Sequence, residues 1–569
     1  MANGYLNQEG NNVMEIVGKE YFDYLASRSF FQEFKKDDHN NIVRCKMHDL
    51  VHEFAQFLTK NECLHIEING LKEPIINPSY HEQVCHLMIT LDEGTSFPDF
   101  ICSLKKMRSF IHNYQDSKTS MPSNILPKLF GDLTSLKTLS IGRNDIDNIP
   151  KEIGKLIHLR YLDLKYLRMR ELPEELCELY NLQTLNVSQC GELEELPQGI
   201  GKLINLRHLE NYETRLLRYM PIGIQRLTNL RTLRIFIVGN DNKACSLEGL
   251  NYLNLYGNLR IEKLGNVSNV DKARRLELKN QKNLLHLFLD FTKDEGERTN
   301  EDDEALLEIL QPPLNLEKLV LENYRGNAIL SNWMMSLTNL RDLQLDECSN
   351  CKNLPPLGKL SSLESLEINW MESLKTMSNE FLGIESDDTS SSFIFFPKLK
   401  MLEFFDMKEW EEWDYEITRK GEEEEEDNIT IMPSLVSLEI SYCPKLKALP
   451  NYLVKNLRDL TLPECINWKH LPPLGKLSSL ESLNIRFMSS LKKMSNEFLG
   501  IESDGTSSLF IFFPKLKMLE FHFMEEWEEW DYEITKTGAE EDDITIMPSL
   551  VSLEIHSCLK LKALPNHLV

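Results

Sequence analysis

Met47-His48-Asp49 is the tripeptide with the clearest chemical potential in this chain. It stands directly before DLVHEFAQFL, a run with helical spacing of its apolar residues. A helix N-terminus offers free N–H groups and the positive end of the helix dipole, so His48 is placed to touch an anion such as a phosphate. Asp49 is the expected N-cap, and Val51, Phe54, Ala55 and Leu58 fall on one face of the helix. On residues alone, a histidine beside a cap is more often a surface or packing residue than a ligand.

Other chemistry-bearing groups are blander. Cys348 and Cys351 form a single CxxC, a poor zinc site without a second pair; Cys190, Cys443 and Cys558 sit at comparable turns, and a structural use is expected. The acidic runs 422–427 and 540–543 read as solvated loop charge rather than as calcium ligands. Trp410, Trp413, Trp527 and Trp530 occur in two copies of WEEWDYEIT. They either cover repeat edges or stand out as anchors for a partner. The sequence contains no G-x-S-x-G, no H-E-x-x-H, no paired metal-ligand spacing and no phosphate loop G-x-x-x-x-G-K-[ST]. Neither catalytic residues nor metal ligands are expected, so a binding protein is expected rather than an enzyme.

The elements that position these groups are repeats. LTSLKTLSI from Leu133 recurs as LIHLRYLDL from Leu156, LYNLQTLNV from Leu179, LINLRHLEN from Leu203 and LTNLRTLRI from Leu227, in steps of 23 or 24 residues. Between them lie IPKEIGK, LPEELCE and LPQGIGK, which turn the chain back. One such unit cannot bury its leucines, whereas stacked units share a continuous core. Beyond residue 240 the phrase persists from NLRIEKL to the final SLVSLEI, with some steps of 34–36 residues whose extra length should loop out. LPPLGKLSSLESL occurs at 354–366 and again at 471–483, an offset of 117 within a larger duplicated block, about 348–454 and 465–569. The expected fold is an α/β leucine-rich-repeat solenoid (a horseshoe) of about 16–18 irregular repeats, preceded by a small, mostly α, partial winged-helix unit. The expected divisions are 1–70 winged helix, 71–130 connector and degenerate repeats near VCHLMIT and MRSFIHN, 131–240 regular repeats and 241–569 irregular repeats.

Alternation along each strand points Leu162 and Leu164 inward and Tyr161, Asp163 and Lys165 outward. The outward set, expected to meet a partner, includes Thr138, Ser140, His208 and Glu210 in the early units. Later units present Asp342, Gln344, Asp346, Glu367, Glu403, Glu439, Asn484, Arg486, Glu520, His522, Glu554 and His556. The later half is acidic, so a basic ligand patch and salt-sensitive binding are expected. Net charge is −26, with 41% hydrophobic and 27% charged residues, which fits a folded chain and disfavours nucleic acid as a partner. No run approaches the length of a membrane span, and the N-terminal residues lack a signal peptide's basic start and apolar core. Twelve scattered cysteines suggest a reducing compartment.

The combination GYL…VGKEYFDYLASRSFFQ…KMHDLVHEFAQFL resembles the end of the nucleotide-binding switch domain of plant intracellular disease-resistance receptors, in which a nucleotide-binding (NB-ARC) domain precedes leucine-rich repeats. IPKEIGKL and LPQGIGKL are similar to that family's repeats. The resemblance implies a defence role, with a pathogen effector or a guarded host protein bound on the concave strand surface. It implies that His48, supported by Met47 and Asp49, senses ADP when a nucleotide-binding domain is present in the same chain or in trans. ADP or ATP would belong to the full-length family, with no cofactor in this chain alone. It further implies a cytoplasmic setting, the nucleus being left open, and a chain truncated to the end of the winged helix plus the repeats. The alternative is a constitutive repeat scaffold or decoy without nucleotide switching, in which His48 has no special role.

Overall fold

The computed structural model describes residues 2–6, 14–36, 42–59, 62–68, 83–92, 95, 97–113, 120–294, 296, 299–329, 331–377, 379–383, 392–413, 428–446, 449, 457–500, 511–530 and 545–565. The chain divides into two compact units, 1–256 and 257–569.

The first unit opens with helix α1 (Met14–Ser27), the antiparallel strands β1 (Phe31–Lys36) and β2 (Ile42–Met47), and helix α2 (Asp49–Leu58). The pair of helices around a hairpin is the small unit expected. Phe22 of α1 stacks on Phe31 of β1, with ring centroids 5.2 Å apart. Neither helix buries a residue fully; Phe54 and Leu58 of the anticipated apolar face are 62% and 65% exposed.

An eight-stranded parallel sheet follows. Its strands are Cys63–Ile68, His86–Leu91, Ser109–His112, Thr138–Ser140, Tyr161–Asp163, Thr184–Asn186, His208–Glu210 and Thr232–Leu233. The two degenerate repeats supply the second and third of these. The stack starts one strand earlier than the leucine phrase suggests, because Cys63–Ile68 pairs in parallel with His86–Leu91 and belongs to this sheet rather than to the winged-helix segment.

Leu139, Leu162, Leu185, Leu209 and Leu233 stand in one register row, each 0% exposed, so each repeat's leucine closes its neighbour's core. Proline starts each return path. Pro150, Pro173, Pro197 and Pro221 precede five-residue 3-10 turns, where a fixed φ near −65° is already suitable and no N–H is needed. The asparagine before the strand links one repeat to the last. Asn181, Asn205 and Asn229 each donate to a backbone carbonyl of the preceding repeat, Ile157, Tyr180 and Ile204.

The second unit repeats this logic along parallel strands Gly257–Glu262, Leu284–Asp290, Lys318–Glu322, Asp342–Asp346, Ser365–Asn369, Met401–Phe405, Ser437–Ser441, Asp459–Pro463, Ser482–Arg486, Met518–His522 and Ser552–His556. The extra length of the wide repeats does not simply loop out. It builds small second ladders in parallel, Thr376–Met377 with Glu412–Trp413 and Ser392–Phe395 with Asn428–Ile431, and the duplicated block repeats both. Trp410 and Trp527 are 0% exposed and each donates its indole N–H to a carbonyl two residues on, at 3.0 Å. Trp413 and Trp530 are 3% exposed, so all four tryptophans pack.

Glycine in the LPPLGK phrase answers to the next turn. A Cβ on Gly475 would lie 2.5 Å from the Leu499 carbonyl oxygen, and Gly358 meets Leu382 in the same way. The acidic runs 422–427 and 540–543 lie outside the described residues.

Candidate recognition faces

His48, not Asp49, is the N-cap of α2. Its extended backbone (φ −61°, ψ 136°) leaves the strand β2, and Nδ1 accepts the Leu50 N–H at 3.3 Å. Asp49 is the first helical residue, its carboxylate 3.7 Å from Lys46 Nζ, and Met47 is 37% exposed at the end of β2. The physical reason for the shift is that the imidazole reaches the second helical N–H directly, as a shorter cap oxygen would. Held against a nucleotide, these residues do not fit by themselves. One helix N–H is already taken by His48, the Asp49 carboxylate opposes a phosphate, and the sequence has no loop to wrap phosphates.

The strand face of the first unit is largely engaged from within. Asp163 is 7% exposed, its carboxylate accepting from Ser140 Oγ at 3.0 Å and from the Lys165 N–H at 3.3 Å. Leu162 and Leu164 do point inward, but Asp163 is folded into its own ladder rather than presented to solvent. Burial raises its carboxyl above the usual range, against those two hydrogen bonds. Tyr161 and Lys165 are half-buried.

Glu210 accepts from Arg234 Nε at 2.7 Å. His208 bridges Thr232 Oγ1 at 3.0 Å and Glu15 Oε1 at 3.1 Å, so helix α1 lies against this strand row. No sequence signal pointed to Glu15, because nothing local couples a residue on α1 to a strand nearly two hundred positions away.

In the second unit, Asp342, Gln344 and Asp346 alternate outward around the buried Leu343 and Leu345. Register then sets Gln344, Glu367, Glu403 and Glu439 in one row, and Asp346, Asn369, Phe405 and Ser441 in the next. Burial, reinforced by Glu322, Glu347 and Glu367, pushes the Asp346 carboxyl up to about 6. Glu403 is raised by burial and then by Glu439 and Glu367. Further along, Arg486 donates from Nε to Asn484 Oδ1 at 2.7 Å and places Nη2 3.4 Å from Glu520. His522 stacks on His556 at 5.0 Å, and its Nε2 lies 3.5 Å from Glu520. Cys348 and Cys351 are fully buried, their thiols turned to backbone carbonyls, and burial raises both. That is packing, and among the described residues no group of three His, Cys, Asp or Glu could hold a metal ion.

Comparison with known proteins decides the family. Residues 1–55 match the family model described as the disease resistance protein winged helix domain, and residues 246–371 and 397–488 match R13L1/DRL21 leucine-rich repeats. The chain is 34% identical over 493 residues to disease resistance protein RGA2 of Solanum bulbocastanum, covering 83% of this chain and 46% of that protein. It is 31% identical over 537 residues to the disease resistance RPP13-like protein 1 of Arabidopsis thaliana, covering 88% of this chain and 49% of that one. The chain belongs to the plant disease-resistance proteins. It spans about half the length of these two relatives. Among solved structures, a leucine-rich-repeat protein of Leptospira interrogans aligns with 79% of this chain and 100% of its own, at 20% identity and a TM-score of 0.43.

Within this disease-resistance protein, the structure also exposes a row that the repeat phrase does not single out. Trp370, Phe405 and Tyr442 meet edge to face or tilted, with centroids 5.0 and 5.1 Å apart. Trp370 and Tyr442 are 36% and 42% exposed. Both stand just after a strand in the left-handed region (φ 52° and 56°), where the chain turns out of the sheet. The available signal was an aromatic residue one or two places beyond the strand phrase in three successive repeats.

Proposed function

We propose that this chain is the recognition region of a plant defence receptor, which binds a protein ligand through the outward residues of its parallel strands. The observation that carries the reading is the second unit's face. A filled leucine core holds Gln344, Glu367, Glu403 and Glu439 in register on a rigid sheet, and repeat surfaces of this kind suit extended contact with another protein. The ligand is a pathogen effector or a guarded host protein, as family membership suggests. Asp342 and Asp346 flank Gln344 on its own strand, and Asn484, Arg486, Glu520 and His522 extend the contact along later strands of the same sheet. In the first unit, taken by itself, Tyr161, Lys165, His208 and Glu210 are the corresponding set, and the Asp163 carboxylate accepts the Lys165 backbone N–H.

His48, flanked by Met47 and Asp49, acts as an ADP sensor only beside a nucleotide-binding domain, in the same polypeptide or supplied in trans. An intracellular, cytoplasmic setting accords with this reading: all twelve cysteines are unpaired, and among the described residues no helix is long and apolar enough to cross a membrane. The rival reading is a scaffold without a switch, favoured by the His48 ring being engaged as the α2 cap.

Two measurements test these readings. A photo-crosslinking residue at Gln344 should join the chain to a defined effector or host protein in leaf tissue, whereas the same residue at Lys155 should not. Equal yields from both positions would count against the strand face. Calorimetry with ADP separates switch from scaffold. Binding that needs an added nucleotide-binding domain, and weakens on His48→Ala, supports the switch; indifference to His48 leaves the scaffold.

A further inference from the structure

The duplicated block contains its own comparison. Positions 117 apart hold Glu367 and Asn484, Asn369 and Arg486, Glu403 and Glu520, and Phe405 and His522, in identical strand register. In the second copy the Arg486 guanidinium lies across the face, donating to Asn484 and meeting Glu520. The first copy keeps the carboxylate at the Glu520 place, as Glu403, but puts Asn369 where the arginine would be.

The consequence is an excess of acceptors. Among the described residues Glu367, Glu403 and Glu439 meet no cation, although Ser441 Oγ donates to Glu439 at 2.8 Å. Asn369 is only 8% exposed, and its amide oxygen has no donor; the same holds for Asp346 Oδ1, its register neighbour. A buried acceptor without a donor is costly, and a guanidinium is the side chain that supplies several donors in one plane. Phe405 is the register partner of Asn369, with Trp370 against it at 5.0 Å, so aromatic side chains flank the same spot, and the face of such a ring attracts a cation.

We infer that Glu367, Asn369 and Glu403, bordered by Trp370 and Phe405, form a socket for an arginine side chain of the protein ligand, which takes the place that Arg486 fills in the second copy. The occupant is an extended, arginine-bearing segment rather than a small molecule, because the carboxylate row continues through Glu439 on the neighbouring strand. A second cation spaced along that segment meets the next carboxylate. This rests on the strand face being the recognition surface.

The test uses the full chain and a labelled peptide of alternating arginine and threonine, with its citrulline analogue as the uncharged control. Fluorescence anisotropy should show binding that weakens with added salt and that the citrulline peptide lacks. Asn369→Arg, which copies the second block, should fill the socket from within and lower affinity by roughly tenfold or more while leaving the thermal melt intact. Glu403→Gln should weaken binding similarly, and Glu380→Gln, outside the row, should not. Equal binding of the citrulline peptide, or unchanged affinity in Asn369→Arg, would overturn the inference. So would stoichiometric calcium binding at these carboxylates with no peptide binding. If the peptide fails while cross-linking at Gln344 persists, the socket is wrong and the recognition face stands; loss of both removes both.

Discussion

Arg207 donates two hydrogen bonds of 2.7 Å, from Nε and Nη2, to the two carboxylate oxygens of Glu15, tying helix α1 to a repeat strand of the first unit. The arginine side chain is 12% exposed and the glutamate 28%, so water screens the pair only in part. Burial alone would raise the Glu15 carboxyl, but the hydrogen bonds from His208 and Arg207 outweigh it and hold it far below its ordinary 4.5.

Glu15→Gln should therefore release α1 from the strand face, with a loss of roughly 1–3 kcal/mol in local stability. Hydrogen exchange of α1 amides should speed up while the leucine core stays protected. The pH dependence has a definite sign. A depressed carboxyl contributes stability that is full above 4.5 and fades as pH falls toward the folded value, so α1 should loosen in acid. Exchange in α1 that is indifferent to both changes would show that the pair does not hold the helix.

Asp346 should behave in the opposite direction. Its folded carboxyl is raised to about 6 from 3.8, so the folded state holds the proton more tightly. Its favourable contribution is full below 3.8 and is lost as pH rises through 6. Asp346→Asn should gain about 1 kcal/mol near neutral pH, after allowance for its partial exposure, and flatten that pH dependence. Exchange rates in Asp342–Asp346 at acid and neutral pH would check it; equal slopes in both proteins would refute the assignment.

Trp410 and Trp370 sit forty residues apart in the same kind of repeat and should respond differently. Trp410→Ala removes a fully buried ring packed on Phe404 at 4.7 Å, and roughly 3–5 kcal/mol of local stability with it. Trp370→Ala should cost about 1 kcal/mol or less, since that ring is 36% exposed. Thermal melts of the two variants would show the contrast, and equal melting points would contradict it.

Gly475→Ala should destabilise by about 1–3 kcal/mol although alanine is the better helix former. The added methyl meets the Leu499 carbonyl oxygen, which belongs to backbone and has little freedom to retreat. Gly358→Ala should match it in the first copy. A neutral or stabilising result in urea denaturation would mean that the neighbouring turn can shift.

The sequence by itself determined the stacking of this protein. A leucine phrase every 23 or 24 residues has one economical solution, in which Leu139, Leu162, Leu185, Leu209 and Leu233 share a row, and proline at each return turn suits the only φ it can adopt. The later strands were legible for the same reason, whereas the four tryptophans could pack or stand out on sequence alone, and only the folded core buries them. What failed was whatever depended on which partner a side chain or strand reaches once the chain is folded. Asp163 alternates outward on paper, yet Ser140 and the Lys165 N–H draw it into the ladder; Cys63–Ile68 lacks the phrase but pairs with a strand that also barely shows it. His48 displaced Asp49 as the cap because side-chain reach, not residue preference, settles which group meets the Leu50 N–H.

Charge followed the same division. Composition announced an acidic later half, but only the register of parallel strands decided which carboxylates stand together and which meet an arginine, as Glu322 meets Arg260 of the strand Gly257–Glu262 and Glu520 meets Arg486. Periodicity fixes what each residue does for its own repeat, since that is a local matter of period and burial. Rows of outward side chains cross repeats, and a row exists only once the strands are paired.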